Sequence, residues 1–205
     1  MSVSGRAVEH AKLRQEERLL VERCQKGDLA AFNELVQRYE KQVYTLAYRL
    51  CGNHDDAEDI AAEVFLRVFN ALPRFRGDAQ FSTWLYRVVT NVYLDTRKRR
   101  SNHPVASLED YLETDEGGQP RQVQDTAPSP QEELEANERR EVLQRAIQAL
   151  PEFQRIMITL YHVEELPYEQ ISEILQMPLG TVKSRLNRAR RALRDHLVAQ
   201  GELFE

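Results

Sequence analysis

The stretch MPLGTVKSRLNRARR, Met177 to Arg191, places a proline, a glycine and a run of basic residues close together near the C-terminus. Pro178 suits the first position of a helix, where no backbone N–H is needed, and we expect Gly180 to permit a close approach of two helices. A short apolar helix is predicted just before it, over YEQISEILQ. The apolar residues after the turn recur at helical spacing, at Val182, Leu186, Ala189 and Leu193. Together these features predict a helix-turn-helix.

The second helix of this motif carries a polar and basic face. In a helix-turn-helix the second helix enters the major groove, where Arg and Asn can make paired hydrogen bonds to base edges. The candidate DNA-reading residues are Lys183, Ser184, Asn187, Arg188, Arg190 and Arg191. Of these, Ser184, Asn187 and Arg188 are the better candidates for base edges, whereas Lys183 and Arg190 could equally clamp phosphates. A solvated amphipathic helix is the alternative on charge alone, and the turn and apolar seam favour DNA reading.

The chain as a whole is acidic, in contrast to this helix. Its 205 residues carry a formal net charge of -5, whereas proteins that bind DNA unaided are usually basic overall. The two cysteines lie outside any CxxC or Cys/His spacing, which argues against a disulfide framework and structural zinc. No apolar run reaches membrane-spanning length, and the N-terminus lacks a signal-peptide core. We therefore expect a cytoplasmic protein without a cofactor or metal.

The pattern of apolar residues divides the chain into two helical blocks. Between them, residues 101–130 are rich in Pro, Gly and polar residues, and apart from Arg121 their charges are all acidic. Such a segment cannot bury enough surface to offset the entropy lost on ordering. No convincing alternating strand appears, so the predicted fold is all-α, with two small helical domains joined by a flexible acidic linker. The predicted segments are an N-terminal extension (1–18), a first domain (19–100), the linker (101–130) and a second domain (131–205).

Within the first block, turn and cap residues separate four helical patterns. Gly27 suits a helix end, and Asp28 and Asn53 suit the N-caps of the second and third helices. LPRFRGD (72–78) is a loop by its proline and glycine, and a fourth helix follows from about Phe81 to Arg97. In the second block, Leu134, Leu143, Ile147 and Leu150 predict one helix, which Pro151 ends or interrupts.

The loop and the fourth helix combine aromatic and basic residues in a way that suits single-stranded nucleic acid. A loop such as RFRGDAQ, held between two helices, could receive a base rotated out of its stack. Trp84 fits an inward face with Phe81 and Leu85, so a core role is favoured for it. The basic cluster Arg97 to Arg100 could follow a phosphate backbone. The aromatic residues that could stack on or cage unpaired bases are Phe75, Phe81, Trp84, Tyr86 and Tyr93.

Three motifs, in order, resemble those of the extracytoplasmic-function (ECF) sigma factors, group IV of the sigma-70 family. These are small two-domain bacterial initiation factors of RNA polymerase that lack the family's middle domain. DDAEDIAAEVFLRVFNAL (55–72) resembles the region-two helix that docks on the polymerase clamp, and FRGDAQFSTWLYRVVTN (75–91) resembles the part that recognises and melts the minus-ten element. LPYEQISEILQMPLGTVKSRLNRARRAL (166–193) resembles the region-four reader of the minus-thirty-five element. The likeness covers about Leu19 to Arg100 and Glu133 to Leu197.

The resemblance implies roles for the residues at matching positions. The clamp helices of the largest polymerase subunit would face Asp55, Asp56, Glu58, Asp59, Glu63 and Arg67. A pocket for an extruded non-template base would be shaped by Phe75, Arg76, Gly77, Asp78 and Ser82, with Asn91 and Asp95 reading neighbouring bases and Arg97 and Lys98 beside them. For Asp55 and Asp56 a structural role also stays open, because acids in a first helical turn favour the helix dipole and Asp56 could complete a cap with Asn53.

The resemblance also implies a set of partners and explains the acidic chain. Core RNA polymerase would be bound through the clamp helices of its largest subunit and the flap of its second-largest subunit. It would supply the phosphate-binding channel, so the sigma factor need not grip promoter DNA alone. ECF factors are commonly held inactive by an anti-sigma protein, often membrane-anchored. No small-molecule substrate is expected.

Two alternatives come from other classes of protein. A stand-alone regulator would share the helix-turn-helix but would not need the aromatic loop and helix followed by RKRR. A nuclease could use HDDAED (54–59) as a metal-binding carboxylate cluster. Adjacent carboxylates on one helix diverge around its axis, however, and no second acidic cluster lies in a comparable folded motif.

Overall fold

The computed structural model describes the backbone of residues 3–100 and 130–199 and the side chains of residues 12–100 and 139–199. Within these ranges the chain is helical, with turns and loops and no strand. It divides into two compact units, Met1–Arg100 and Ser101–Glu205. The all-α prediction is therefore confirmed for this part of the chain. The predicted linker lies outside the described residues except for Pro130, which begins a helix.

The N-terminal unit is built from four described helices and one short 3₁₀ turn. The helices are α1 (Val3–Gln25), α2 (Leu29–Cys51), α3 (His54–Ala71) and α4 (Phe81–Arg100), and the turn is Leu72–Arg74. Helix α2 packs against the other three, and its buried residues recur at helical spacing: Ala31, Leu35, Tyr39, Val43, Leu46, Ala47 and Leu50. Burial of each leucine contributes about 1.5–3 kcal/mol, so this stripe accounts for the central position of α2.

Side-chain caps define where α2 and α3 begin. The Asp28 carboxylate accepts a hydrogen bond from the Ala31 N–H at 3.0 Å, and the Asn53 side-chain oxygen accepts one from the Asp56 N–H at 2.8 Å. Gly27 precedes the first cap in the left-handed region, with φ 86°. These positions confirm the predicted caps and helix end. Each such cap typically stabilises a helix by about 1 kcal/mol.

The C-terminal unit packs four described helices around a small apolar core. The helices are α5 (Pro130–Ala149), α6 (Glu152–Ile158), α7 (Tyr168–Leu175) and α8 (Leu179–Ala199), and a π-helical turn, Thr159–Val163, follows α6. The core includes Ile147, Leu150, Ile156, Met157, Leu160, Ile171, Val182 and Leu186. The helix predicted from Leu143, Ile147 and Leu150 is present as α5, in which Leu143 is 41% exposed and Ile147 is buried.

Arg155 holds the end of α5 against α6. Its side chain is buried, and its Nη2 donates to the carbonyls of Leu150, at 2.9 Å, and Gln148. The last carbonyls of a helix have no partner within the helix, so the guanidinium satisfies two of them. This contact stabilises the connection at Pro151 that leads into α6.

Candidate nucleic-acid interfaces

The turn between α7 and α8 is closed by backbone and hydroxyl hydrogen bonds. Gln176 adopts the left-handed conformation here, with φ 52° and ψ 46°. The Met177 N–H donates to the Ser172 carbonyl at 3.1 Å, and the Ser172 hydroxyl donates to the Met177 carbonyl at 2.5 Å. The Met177 side chain is buried beneath the turn. The turn of the predicted helix-turn-helix therefore lies where the sequence placed it.

Two details of the predicted turn differ in the structure. A Cβ built at Gly180 would meet no atom within 4 Å, so the close approach of two helices at this glycine is wrong. The side of α8 at Gly180 faces open space instead. Pro178 comes one residue before the helix, and its carbonyl accepts a hydrogen bond from the Val182 N–H at 3.1 Å. It therefore begins the first turn as a cap residue, where its missing N–H costs nothing.

The candidate DNA-reading residues on the polar face of α8 differ in solvent exposure. Lys183 and Arg191 are exposed, while Ser184, Asn187 and Arg188 are half-buried beside the apolar seam. The Ser184 hydroxyl donates to the Thr181 carbonyl at 3.1 Å, which leaves its oxygen lone pairs able to accept. The helix thus presents donors and acceptors along one face.

Arg190 is bound within the unit, although the sequence placed it among the DNA-reading residues. Its Nε donates to His162 Nε2 at 3.0 Å, and its guanidinium carbon lies 4.7 Å from the centroid of the Tyr161 ring. Tyr161 stacks on Tyr168 at 5.0 Å, and the Lys183 ammonium lies 5.9 Å from the Tyr168 ring. Burial of the ring, followed by the charge of Arg190, lowers the pKa of His162 below its ordinary value. These contacts orient one edge of α8.

In the N-terminal unit, the loop before α4 forms one wall of a cleft of about 460 Å³. The predicted pocket residues Phe75, Arg76, Gly77 and Asp78 all line it. Gly77 has φ 75°, a conformation that L residues with a side chain rarely adopt, so the loop path requires glycine there. Ser82 lies apart from this group and lines a smaller gap beside α2.

Other residues that line this cleft come from α1, whose first part, up to residue 18, is the predicted N-terminal extension. The α1 residues that line the cleft are Arg14, Glu17, Arg18, Val21, Glu22 and Gln25. Gln25 Nε2 donates to the carbonyl of Leu72 at 3.1 Å and to that of Phe75 at 2.7 Å. No sequence pattern indicates these contacts, since the partners lie 47 and 50 residues away.

Three aromatic rings form a cluster at the base of the loop. Phe75 lies 5.9 Å from Phe81 and 5.0 Å from Trp84, between ring centroids, and Phe81 lies 5.6 Å from Trp84. Phe81 is buried, whereas Phe75 and Trp84 are half-buried. The core role favoured for Trp84 is therefore only partly met, because this residue is half-buried rather than buried.

Further along α4, the predicted DNA-reading residues differ in exposure, and one of them forms an ion pair. Asn91 is exposed. Asp95 accepts a hydrogen bond from Arg67 Nη1 at 2.7 Å, so two residues assigned to different surfaces are neighbours. Arg97 is half-buried and Lys98 is exposed near the end of the helix.

The acidic start of α3 divides into exposed and internally bonded carboxylates. Asp55, Glu58 and Asp59 are exposed. Asp56 accepts from Asn53 Nδ2 at 2.8 Å and forms an ion pair with Arg100. The hydrogen bond from Arg100, then that from Asn53, holds the pKa of the Asp56 carboxyl below its usual range. One turn further on, Glu63 accepts from Arg67 Nε at 2.8 Å and is half-buried.

Among the described residues, no three His, Cys, Asp or Glu side chains are grouped so as to hold a metal ion. None of the helices described is both long and apolar enough to cross a membrane.

Two known family models match successive parts of the chain. The family model of Sigma-70 region 2 matches residues 35–103, and that of Sigma-70, region 4 matches residues 140–193. The ECF RNA polymerase sigma-E factor of Escherichia coli (strain K12) is 38% identical over 180 residues, which cover 86% of this chain and 92% of the relative. This chain belongs to the ECF RNA polymerase sigma factors. It is therefore a transcription initiation factor rather than an enzyme, and sigma factors bind core RNA polymerase.

Solved structures share the helical fold of this ECF sigma factor. CnrH, in complex with the cytosolic domain of CnrY, is 22% identical with a TM-score of 0.60, over 89% of this chain and 97% of that chain. The sigma factor RpoE in complex with the anti-sigma factor NepR, from Bartonella quintana, is 21% identical with a TM-score of 0.56, over 82% and 96%. Membership in the family excludes both the stand-alone regulator and the nuclease.

Proposed function

We propose that the N-terminal unit captures an extruded base of the minus-ten element during promoter melting. The observation that carries this proposal is the cleft beside the loop Phe75–Asp78, with an aromatic cluster at its base. A flipped base needs a snug pocket with stacking surfaces and hydrogen-bonding groups around it. The half-buried ring of Phe75, which lines the cleft, offers a stacking surface, and Asp78 and the loop backbone offer polar groups.

The surface of α4 continues this interface along the strand. Asn91 is exposed and suited to read a neighbouring base, and Lys98 and Arg97 are suited to bind the phosphates that follow. Asp95 can accept from a base only by sharing its carboxylate with Arg67. Ser82, which lies outside the cleft, supports the start of α4 rather than the captured base.

The C-terminal unit reads the minus-thirty-five element through α8. Ser184, Asn187 and Arg188 contact base edges in the major groove, while Lys183 and Arg191, which are more exposed, bind phosphates. The remaining N–H groups of Arg190 can still reach a phosphate, because a guanidinium has five donors and, among the described residues, only His162 and Tyr168 engage them.

The polymerase-binding face lies at the start of α3. Its exposed carboxylates, Asp55, Glu58 and Asp59, contact the clamp helices of the largest subunit. Asp56, Glu63 and Arg67 have bonds within the unit and shape this face. The C-terminal unit contacts the flap of the second-largest subunit.

The chain is organised as an N-terminal extension (1–18), region two (19–100), an acidic linker (101–130) and region four (131–205). The family models, over 35–103 and 140–193, support this division. An anti-sigma protein, membrane-anchored or free, covers the polymerase-binding faces. The complexes of CnrH and RpoE with CnrY and NepR support such a partner. The protein acts in the cytoplasm, where its polymerase and promoters are.

The test is transcription in vitro with purified bacterial core polymerase over a pooled promoter library. We expect initiation, only when this protein is present, from a subset of promoters that share two spaced elements. Permanganate footprinting of that subset should show unpaired thymines in the downstream element. Initiation without a shared downstream element, or a footprint that stays double-stranded there, would contradict the role of the cleft.

A further inference from the structure

We propose that helix α1 is part of the base-capture cleft, with Gln25 positioning the loop and Arg14 and Arg18 binding phosphates of the captured strand at its mouth. This inference rests on the proposed function of the cleft. It assigns a role to a helix whose first part, residues 1–18, the sequence treats as an extension.

Gln25 holds both ends of the turn that leads into the loop. Its amide nitrogen has two protons, and they go to the carbonyls of Leu72, at 3.1 Å, and Phe75, at 2.7 Å. The Phe75 N–H also donates to the Leu72 carbonyl at 3.0 Å, so the turn is closed by its own backbone and clamped by one side chain. A glutamate has the same length but cannot donate when ionised. An ionised glutamate therefore cannot replace glutamine in this clamp.

The clamp acts on the part of the loop that would touch a base. Fixing the Phe75 carbonyl also fixes its ring, which lies against Phe81 and Trp84. The loop then passes through Gly77, and ordering a glycine costs more conformational entropy than ordering any other residue. A loop that is already ordered before binding loses less entropy on capture. Gln25 therefore favours capture without touching the base.

Helix α1 is itself fixed to the unit, so the clamp has a rigid support. Leu20 and Val21 are buried, and the Tyr39 hydroxyl donates to Glu17 Oε1 at 2.6 Å. Burial, followed by the hydrogen bond to Glu17, raises the pKa of Tyr39, so this donor keeps its proton. The C-terminal half of α1 is thus fixed to α2, and Gln25 in turn fixes the loop to α1.

The mouth of the cleft carries arginines on both walls. Arg14 and Arg18 come from α1 and Arg76 from the loop. The acids on the same wall are engaged: Glu17 accepts from Tyr39, and Glu22 accepts from Arg18 Nε at 3.1 Å. The Arg18 side chain is 80% exposed, and an ion pair this exposed is weak. A phosphate can therefore replace Glu22 as its partner at little cost, with two parallel hydrogen bonds.

The first experiment measures base capture by the holoenzyme. Full-length wild type and Gln25→Glu are assembled with core polymerase on promoters carrying each of the four bases at the captured position, with 2-aminopurine beside it. Gln15→Glu, the same change at an exposed position of α1, is the matched control. We expect Gln25→Glu to lose about ten-fold in the extent of capture, the effect of about two hydrogen bonds, and to discriminate less between the four bases. Gln25→Met, which removes the donors without adding charge, should behave alike.

A merely structural role for Gln25 would change other quantities. It would lower the thermal midpoint or the affinity for core polymerase and leave base discrimination as in wild type. That result would overturn the positioning role. If wild type itself captured no base, the proposed function of the cleft would fail instead, so the two failures are distinguishable.

The second experiment tests the two arginines through the salt dependence of binding. Each phosphate contact to a single strand contributes about 0.7 to the slope of log K against log salt concentration. For Arg14→Ala combined with Arg18→Ala, we expect this slope to fall by about 1.4 in holoenzyme binding to a single-stranded minus-ten oligonucleotide. Arg38→Ala combined with Lys41→Ala, which removes two exposed charges from α2, should leave it unchanged. An unchanged slope in the α1 variant would overturn the phosphate contacts.

Discussion

Arg67 of α3 and Asp95 of α4 form an ion pair, with Arg67 Nη1 2.7 Å from Asp95 Oδ2. Arg67 also donates from Nε to Glu63 at 2.8 Å. The hydrogen bond to Asp95, followed by that to Glu63, raises the pKa of the guanidinium. The resemblance assigned Arg67 to the polymerase and Asp95 to promoter bases. Because Arg67 and Asp95 form an ion pair, a partner that binds one of them in its place would leave the other without this contact.

The ion pair should therefore appear as coupling between substitutions at these two positions. Asp95 is 50% exposed and Arg67 31%, so we expect a coupling free energy of only about 0.5 kcal/mol. Urea unfolding of wild type, Arg67→Ala, Asp95→Ala and the double variant would measure this coupling. The fluorescence of Trp84, the one tryptophan of the chain, reports the unfolding of the N-terminal unit. Additive effects would show that the pair does not form in solution.

Arg188 is expected to matter for promoter choice alone. Arg188→Ala should reduce transcription from promoters with the upstream element by about 5- to 150-fold, the range for one paired contact to a base. Binding to core polymerase should stay unchanged. Arg145→Ala, an exposed arginine on α5, is the control. An equal loss of polymerase binding would remove Arg188 from the set of base readers.

The exposed carboxylates at the start of α3 should matter for the polymerase. Asp55→Lys combined with Asp59→Lys should weaken association with core enzyme by at least ten-fold, because two repulsive charges replace two attractive ones at a docking face. Glu34→Lys combined with Glu40→Lys changes the net charge equally on α2 and controls for it. Affinity measured by fluorescence anisotropy that stays at the wild-type value would return Asp55 and Asp59 to stabilising the helix.

Asp56 should make the free energy of unfolding of the N-terminal unit pH-dependent in the acidic range. Its pKa is lowered in the folded chain, so its contribution is present above the unfolded pKa, about 3.9, and is lost as pH falls through the folded value. Asp56→Asn should thus lower the free energy of unfolding at pH 7, and the difference should vanish in acid. Arg100→Met should show the same dependence, and Arg99→Met should not. A difference that persists at low pH would assign it to packing.

Sequence reasoning succeeded in this chain where the determinant was local. Asp28 and Asn53 were recognisable as caps because a cap acts within three residues of its own position. The seam of α8 was recognisable by period for the same reason. The prediction of a close helix approach at Gly180 was wrong because a glycine in a helical sequence does not indicate whether another element packs against it. Here the space beside Gly180 is open.

The features that sequence reasoning missed depend on contacts between distant segments. Gln25 resembles any polar residue at a helix end until the loop comes to lie against it. Arg190 has the charge of a DNA-binding residue, and only the π-helical turn after α6 brings His162 and Tyr161 within reach.

The contact between His162 and Arg190 predicts a pH dependence in the C-terminal unit. His162 accepts from Arg190 Nε, which requires an unprotonated Nε2. Burial and the neighbouring guanidinium lower the pKa of His162, whereas the unfolded chain takes up this proton near pH 6.5. The contribution to stability is therefore present above about pH 6.5 and is lost as pH falls through the folded pKa.

Two variants separate the causes of this dependence. Arg190→Met removes the positive charge and should raise the pKa of His162, measured from the ring-proton shifts of the full chain by NMR. His162→Gln keeps an acceptor but does not titrate, so the unfolding of its C-terminal unit should change less between pH 7 and pH 5 than in wild type. A His162 pKa that stays the same in Arg190→Met would show that burial alone lowers it and that Arg190 lies elsewhere in solution.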